Sequence, residues 1–352
     1  MLAGTPSRLP TTAGELLPPE LTARLDRLDV VSRKVFAGKL QGERRSKRRG
    51  KSVEFEEHRD YVPGDDLRHI DWNVYARFDR LVLKIFEEEE DLSLILVLDA
   101  SASMLAGSPL KLLTAARIAM ALGYIGLARN NRVSCTVIGT LGGDRRLASV
   151  RGRSSIQRLG GFMIDAAFEP ARRAASDRAG DGGPPVARAR DWNESMRAIA
   201  ASREGKGVLV VISDLLVPPP PLGGYQTGLR LLSAPSGAQS SGAAFDVCCV
   251  QVLSPGELDP SKEGRSAGGG AEDDAPPALL GDLSLTDVET GRSAEVTVTP
   301  ALLDAYRASV KRFVGGAAEF CTARGMTHLL VPSDADVAAL VLDTLRRRGL
   351  LA

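Results

Sequence analysis

The chain has 352 residues, 43% hydrophobic and 25% charged, with a formal net charge of +1 at pH 7. That balance fits a folded globular chain with one large domain or two smaller ones, and it excludes overall polyelectrolyte character. Aromatic content of 5% is low for a protein that reads single-stranded nucleic acid by stacking.

Four cysteines (Cys135, Cys248, Cys249 and Cys321) form no Cys-x-x-Cys pair. Three fall in apolar, strand-like stretches and Cys321 in a helical one, which reads as buried reduced thiol, not a disulfide framework or zinc site. The N-terminus lacks the basic-then-apolar pattern of a signal peptide, and no stretch approaches the ~20 apolar residues of a membrane span. The expectation is a cytoplasmic protein.

In chain order, residues 1–17 read as a mobile tail. Pro18 and Pro19 precede a helical pattern through Leu21, Leu25, Leu28, Val31 and Val35. A basic cluster (Arg44, Arg45, Lys47, Arg48, Arg49, Lys51) follows, and five acids run from Glu87 to Asp91. With those acids close by and no interleaved aromatics, the cluster suits a solvated loop or an acidic protein partner better than nucleic acid. Residues 53–61 alternate weakly, and 81–86 resembles a strand.

From Leu92 onward, strands alternate with helices. Strands are expected at 92–98, 132–138, 146–150, 207–212, 245–253 and 327–331, with a hairpin over 283–299. Helices are expected at 110–129, 156–167, 193–202, 300–324 and 334–348. Residues 171–190 and about 254–279 read as flexible insertions rich in Gly, Ala, Ser and charge. The alternation predicts a mostly parallel α/β sheet covered on both faces, Rossmann-like, with one antiparallel edge strand at 146–150.

Two strands end in chemistry. Leu92–Leu98 runs into Asp99, Ala100, Ser101, Ala102 and Ser103, and Val208–Ile212 runs into Ser213 and Asp214. Ligands bind at the carboxyl ends of strands in open α/β sheets. If the two strands are neighbours, Asp99 and Asp214 meet there with the hydroxyls of Ser101 and Ser103. Such a set of hard oxygen donors suits a hard divalent cation, magnesium first, then manganese or calcium. The plainer alternative is that these residues only cap the helices that follow.

The Asp-x-Ser-x-Ser segment with a later strand-end Asp resembles the metal-ion-dependent adhesion site of the von Willebrand factor type A fold. The resemblance implies metal ligation by Asp99, Ser101, Ser103 and Asp214. It also implies a Thr from an intervening loop, for which the nearest equivalent is Ser154 or Ser155. Upstream, GKSVEFEEHRDYVPGDDLRHIDWNVYARFDRLVLKIFEEE resembles the signature of the family catalogued as domain of unknown function 58, which precedes a von Willebrand A-like core. GDLSLTDVETG, the VTVTPALLDAYRASVKRF helix and the terminal LRRRGLL resemble that family too, so the likeness spans roughly residues 28–351. The organisation expected is a tail (1–17), an N-terminal helix and signature segment (18–91) packed on the core, and the core domain (92–352).

Within the signature, Arg59, Asp65, Asp66, Arg68, Asp71 and Arg77 surround Pro63-Gly64 and Trp72. The favoured reading is a network pinning an irregular segment, Trp72 included; the sharper one is a docking surface. His58, His69 and His328 are dispersed and read as structural or surface residues.

The function expected is a non-catalytic module whose metal takes an Asp or Glu from a client protein. The family resemblance implies a MoxR-type AAA+ ATPase as partner, with the chain as adaptor or chaperone-like unit. The alternative is a magnesium-dependent phosphatase or other hydrolase with Asp99 as nucleophile. Against it, Ser101 stands where phosphatases of the haloacid dehalogenase type carry a second acid, and neither His nor Lys lies close in sequence to Asp99 or Asp214. No glycine-rich phosphate loop is present.

Overall fold

The computed structural model describes residues 9–31, 55–62, 65, 67, 70–86, 92–140, 142–169, 172, 191–203, 205–218, 224–233, 245–262, 280–287 and 293–351. It divides into two compact units, one of residues 1–35 and 92–352 and one of residues 36–91. The N-terminal helix thus belongs with the sheet and not with the signature segment.

In the smaller unit, β1 (Phe55–Asp60) pairs antiparallel with β2 (Val82–Phe86). In the larger unit six strands form one sheet: β3 (Leu92–Asp99), β4 (Arg132–Ile138), β5 (Arg145–Val150), β6 (Lys206–Ser213), β7 (Phe245–Leu253) and β10 (Thr327–Pro332). Their order is β10-β7-β6-β3-β4-β5, and every pairing is parallel except the antiparallel edge strand β5. This is the α/β architecture with a mostly parallel sheet that the alternation predicted. β8 (Gly281–Thr286) and β9 (Ser293–Val298) form the expected hairpin.

Eight consecutive buried residues in β3 explain its unbroken apolar run, because successive side chains feed opposite faces. Leu94, Leu96 and Leu98 enter one core with α4 (Lys111–Ala128). That core also takes α1 (Ala13–Leu16), α2 (Pro19–Leu25), α5 (Ile156–Met163) and the C-terminal turns. Ile95 and Val97 enter the other, with α6 (Trp192–Ala201), α7 (Gly224–Ser233) and α9 (Pro300–Thr322), which follows α8 (Pro255–Leu258). α4 is apolar nearly all round because it is covered by helices as well as by the sheet. By length and composition it could cross a membrane, but 83% of it is buried inside the fold.

Several expectations need correction. Part of the expected tail is structured: α1 forms, and Leu16 and Leu17 are buried in the first core. The next helix stops at Leu25, and Val30 bridges to Leu351 instead of continuing it. The insertion expected from residue 254 begins as ordered structure, since α8 and a 3-10 turn occupy Pro255–Lys262. The rest of that insertion and most of residues 171–190 lie outside the described residues, as does the basic cluster. The final helix is broken by a π-helical turn over Leu340–Thr344.

In the smaller unit, Asp71 caps α3 (Trp72–Phe78), accepting from the backbone N–H of Asn73 and Val74. Arg59 pairs with Asp65 at 2.7 Å. Trp72 is not pinned as expected but 59% exposed. Pro63, Gly64, Asp66, Arg68 and His69 lie outside the described residues.

Candidate metal centre

Strand order reverses between β3 and β6, since the chain goes from β3 to β4 on one side and from β6 to β7 on the other. The crevice beyond their carboxyl ends is where this class of sheet binds ligands. Asp99 and the Ser213–Asp214 pair sit there because Leu98 pairs with Ile212. Asp99 is 4% exposed. Its Oδ1 accepts from the Ser101 N–H at 2.9 Å, and its Oδ2 from the Ser213 hydroxyl at 2.6 Å. The hydroxyls of Ser101 and Ser103 lie 3.1 Å apart.

Gly139 makes room for this carboxylate. A Cβ there would stand 2.9 Å from Asp99 Oδ1 and from the Ser101 nitrogen, and its φ of +74° disfavours any other residue. Gly139→Ala is expected to destabilise the fold by about 2 kcal/mol or more, through strain and displacement of Asp99, as read by denaturant unfolding.

The second carboxylate is already engaged. Asp214 Oδ1 accepts from the Leu216 N–H at 3.0 Å, and Oδ2 accepts from the Lys111 ammonium at 2.9 Å. Lys111 is fully buried at the first residue of α4 and also donates to Glu257 Oε1 at 2.5 Å. Glu257 is held in turn by a capping box with Ser254: its Oε2 accepts from the Ser254 N–H, and its own N–H donates to the Ser254 hydroxyl. Backbone strain marks the same edge, for the buried Leu215 adopts a left-handed φ of +62°.

The electrostatics follow from burial. Loss of solvent and the nearby Asp214 charge push the Asp99 carboxyl up to about 6, against the hydrogen bonds from Ser213 and Ser101. Burial works to lower the Lys111 value, but the charges of Asp214 and Glu257 outweigh it and hold Lys111 above the ordinary lysine value. Lys111 is therefore a fixed cation. Three carboxylates against one ammonium leave two negative charges uncompensated, and among the described residues no ammonium or guanidinium pairs with Asp99. A buried carboxylate beside two hydroxyls, with that charge excess, fits a hard divalent cation at Asp99, Ser101 and Ser103. Asp214 fits less completely, because Lys111 holds one of its oxygens.

The geometry thus brings Asp99, Ser101, Ser103 and Asp214 to one edge. It does not bring Ser154 or Ser155 there. Val150 pairs with Val133 at the start of β4, so the turn Arg153–Ser155 lies at the opposite, amino edge of the sheet. Its neighbours there are Asp26 and Asn130, and the Ser155 hydroxyl donates to the Arg151 carbonyl. Ser155→Ala is expected to leave cation binding unchanged in a calorimetric titration. The nearest hydroxyl following β4 is instead Thr140, buried next to Gly139 and donating to the Gly143 carbonyl.

Sequence reading does not reach Lys111 and Glu257: no His or Lys lies close in sequence to Asp99 or Asp214, yet Lys111, 103 residues from Asp214, meets it in space. One signal was available: a lysine at the start of an otherwise apolar helix works against the helix dipole and calls for carboxylate partners. All four cysteines are free and buried, as their apolar settings predicted.

The model of the family described as "Protein of unknown function DUF58" matches residues 57–267, more than half of the chain, and the chain belongs to that family. It is similar to uncharacterized proteins of Mycobacterium bovis and of two strains of Mycobacterium tuberculosis. Each is 26% identical over 350 residues, covering 96% of this chain and 94% of the relative. No solved structure matches significantly.

Proposed function

We propose that this chain is a non-catalytic, metal-dependent protein-interaction module. The larger unit is read as von Willebrand A-like, and Asp99, Ser101 and Ser103, with Asp214 behind them, as its adhesion-type metal site. Strand order, the switch-point position of Asp99 and the placement of two strand-end acids at one edge of neighbouring strands support that reading. The observation that carries it is the buried Asp99 carboxylate, which has hydroxyl and amide partners but no cationic one among the described residues. A cation there supplies positive charge with a coordination position open to a partner's Asp or Glu. Asp99 ligates it, Ser101 and Ser103 add neutral oxygens, Ser213 orients Asp99, and Lys111 keeps Asp214 in place. Magnesium is the first choice, with manganese or calcium as substitutes.

The family resemblance supports an adaptor or chaperone-like role beside a MoxR-type AAA+ ATPase in the cytoplasm, the client offering the acidic side chain. The hydrolase reading is weaker. The amine in the cluster, Lys111, is an ammonium bound by two carboxylates and cannot serve as a base. Calorimetric titration with magnesium tests the proposal: heat is expected from the wild type and none from Asp99→Ala. Equal heats from both would refute it. Capture of the ATPase or client from lysate is expected to fail in chelator.

A further inference from the structure

Lys111 is an expensive residue where it stands. Its ammonium is fully buried, and as the first residue of α4 it faces the positive end of the helix dipole. Glu257 reaches it from 146 residues further along the chain, while Ser254 fixes the Glu257 carboxylate. This arrangement holds Asp214 from behind and cancels one negative charge beside the Asp99 edge.

We infer that Lys111 and Glu257 set the charge of the ion the site accepts, the ammonium acting as a built-in counter-ion that leaves two negative charges and so selects a dication. The inference rests on the reading of Asp99, Ser101 and Ser103 as the cation seat. Repulsion from a fixed positive charge grows in proportion to the charge of the incoming ion. Lys111 stands one carboxylate, Asp214, behind the Asp99 edge; at an effective dielectric of about 20, a unit charge within about 10 Å of the ion separates a trication from a dication by on the order of tenfold. Lys111 and Glu257 are thus specificity-determining positioning residues that need not touch the ion.

The test titrates the 352-residue chain with magnesium and with terbium(III) as the trivalent probe, read by calorimetry. Lys111→Met is expected to shift the terbium-to-magnesium affinity ratio at least tenfold toward terbium. Glu257→Gln is expected to shift it toward magnesium while weakening both ions. The double variant Lys111→Met/Glu257→Gln again has two uncompensated charges and is expected to return to the wild-type ratio. An unchanged ratio in Lys111→Met would overturn the inference. Should that variant not fold, by circular dichroism and cooperative melting, an unchanged ratio in Glu257→Gln would overturn it instead. A wild type that takes up neither ion would overturn the cation seat itself, a different failure.

Discussion

Asp99→Asn is expected to raise the melting temperature of the chelator-treated protein at pH 7.5 and to abolish stabilisation by magnesium. The wild-type carboxyl titrates at about 6 when folded, against 3.8 as the ordinary value. Between those values the folded state binds more protons than the unfolded one, so stability falls as pH rises through that window. The difference corresponds to about 3 kcal/mol. Asparagine carries no charge to bury and so does not incur this loss. Denaturant midpoints of both proteins from pH 4 to pH 8, in chelator, should diverge as pH rises. Saturating magnesium should reverse the order above pH 6, because the cation favours the carboxylate. Parallel curves in both conditions would mean that Asp99 is neither strained when metal-free nor a ligand.

The second large effect belongs to Lys111. Lys111→Met is expected to cost about 3–5 kcal/mol, because it strands the buried carboxylate of Asp214 and leaves the partly buried Glu257 without its cation. Glu257 is partly solvated, which places the value toward the lower end. Adding Asp214→Asn and Glu257→Gln should recover most of the loss, since a neutral cluster of similar volume leaves no buried charge unpaired. The sign with pH is fixed: a lysine held above its ordinary value contributes fully below pH 10.5 and loses that contribution only above it. Lys111 itself therefore adds no pH dependence between pH 6 and pH 9, and the deficit in urea titrations should grow as pH rises through neutrality, where the stranded carboxylates ionise, and then level off toward pH 9.

The sheet was legible because its strands are unusually pure. Leu92–Leu98 and Val208–Ile212 carry so little polarity that only a position buried on both faces suits them, and their polar ends locate the crevice. What escaped was non-local. Nothing around Ser254–Glu257 in a Gly- and Ser-rich stretch announces that the capping glutamate also meets a lysine at the head of α4. Ser154 and Ser155 are the nearest sequence equivalents of the loop Thr that the resemblance implies. The antiparallel β5 returns the chain to the amino edge of the sheet, so a ligand set counted along the sequence overshoots. Trp72 shows the opposite error: the density of its charged surroundings suggested an anchor, whereas Asp71 and Asp79 close α3 at its two ends without it.

The route by which Glu257 reaches Lys111 has a biosynthetic consequence. During translation Lys111 emerges 103 residues before Asp214 and 146 before Glu257, so at elongation speeds of ~5–20 residues per second it waits roughly 7 to 30 seconds for its last partner. A nascent chain ended ahead of Ser254 would keep the Lys111–Asp214 pair but lack Glu257, the second carboxylate on the ammonium. Closure of the triad therefore waits on the same late segment that supplies β10 and α9 to the sheet.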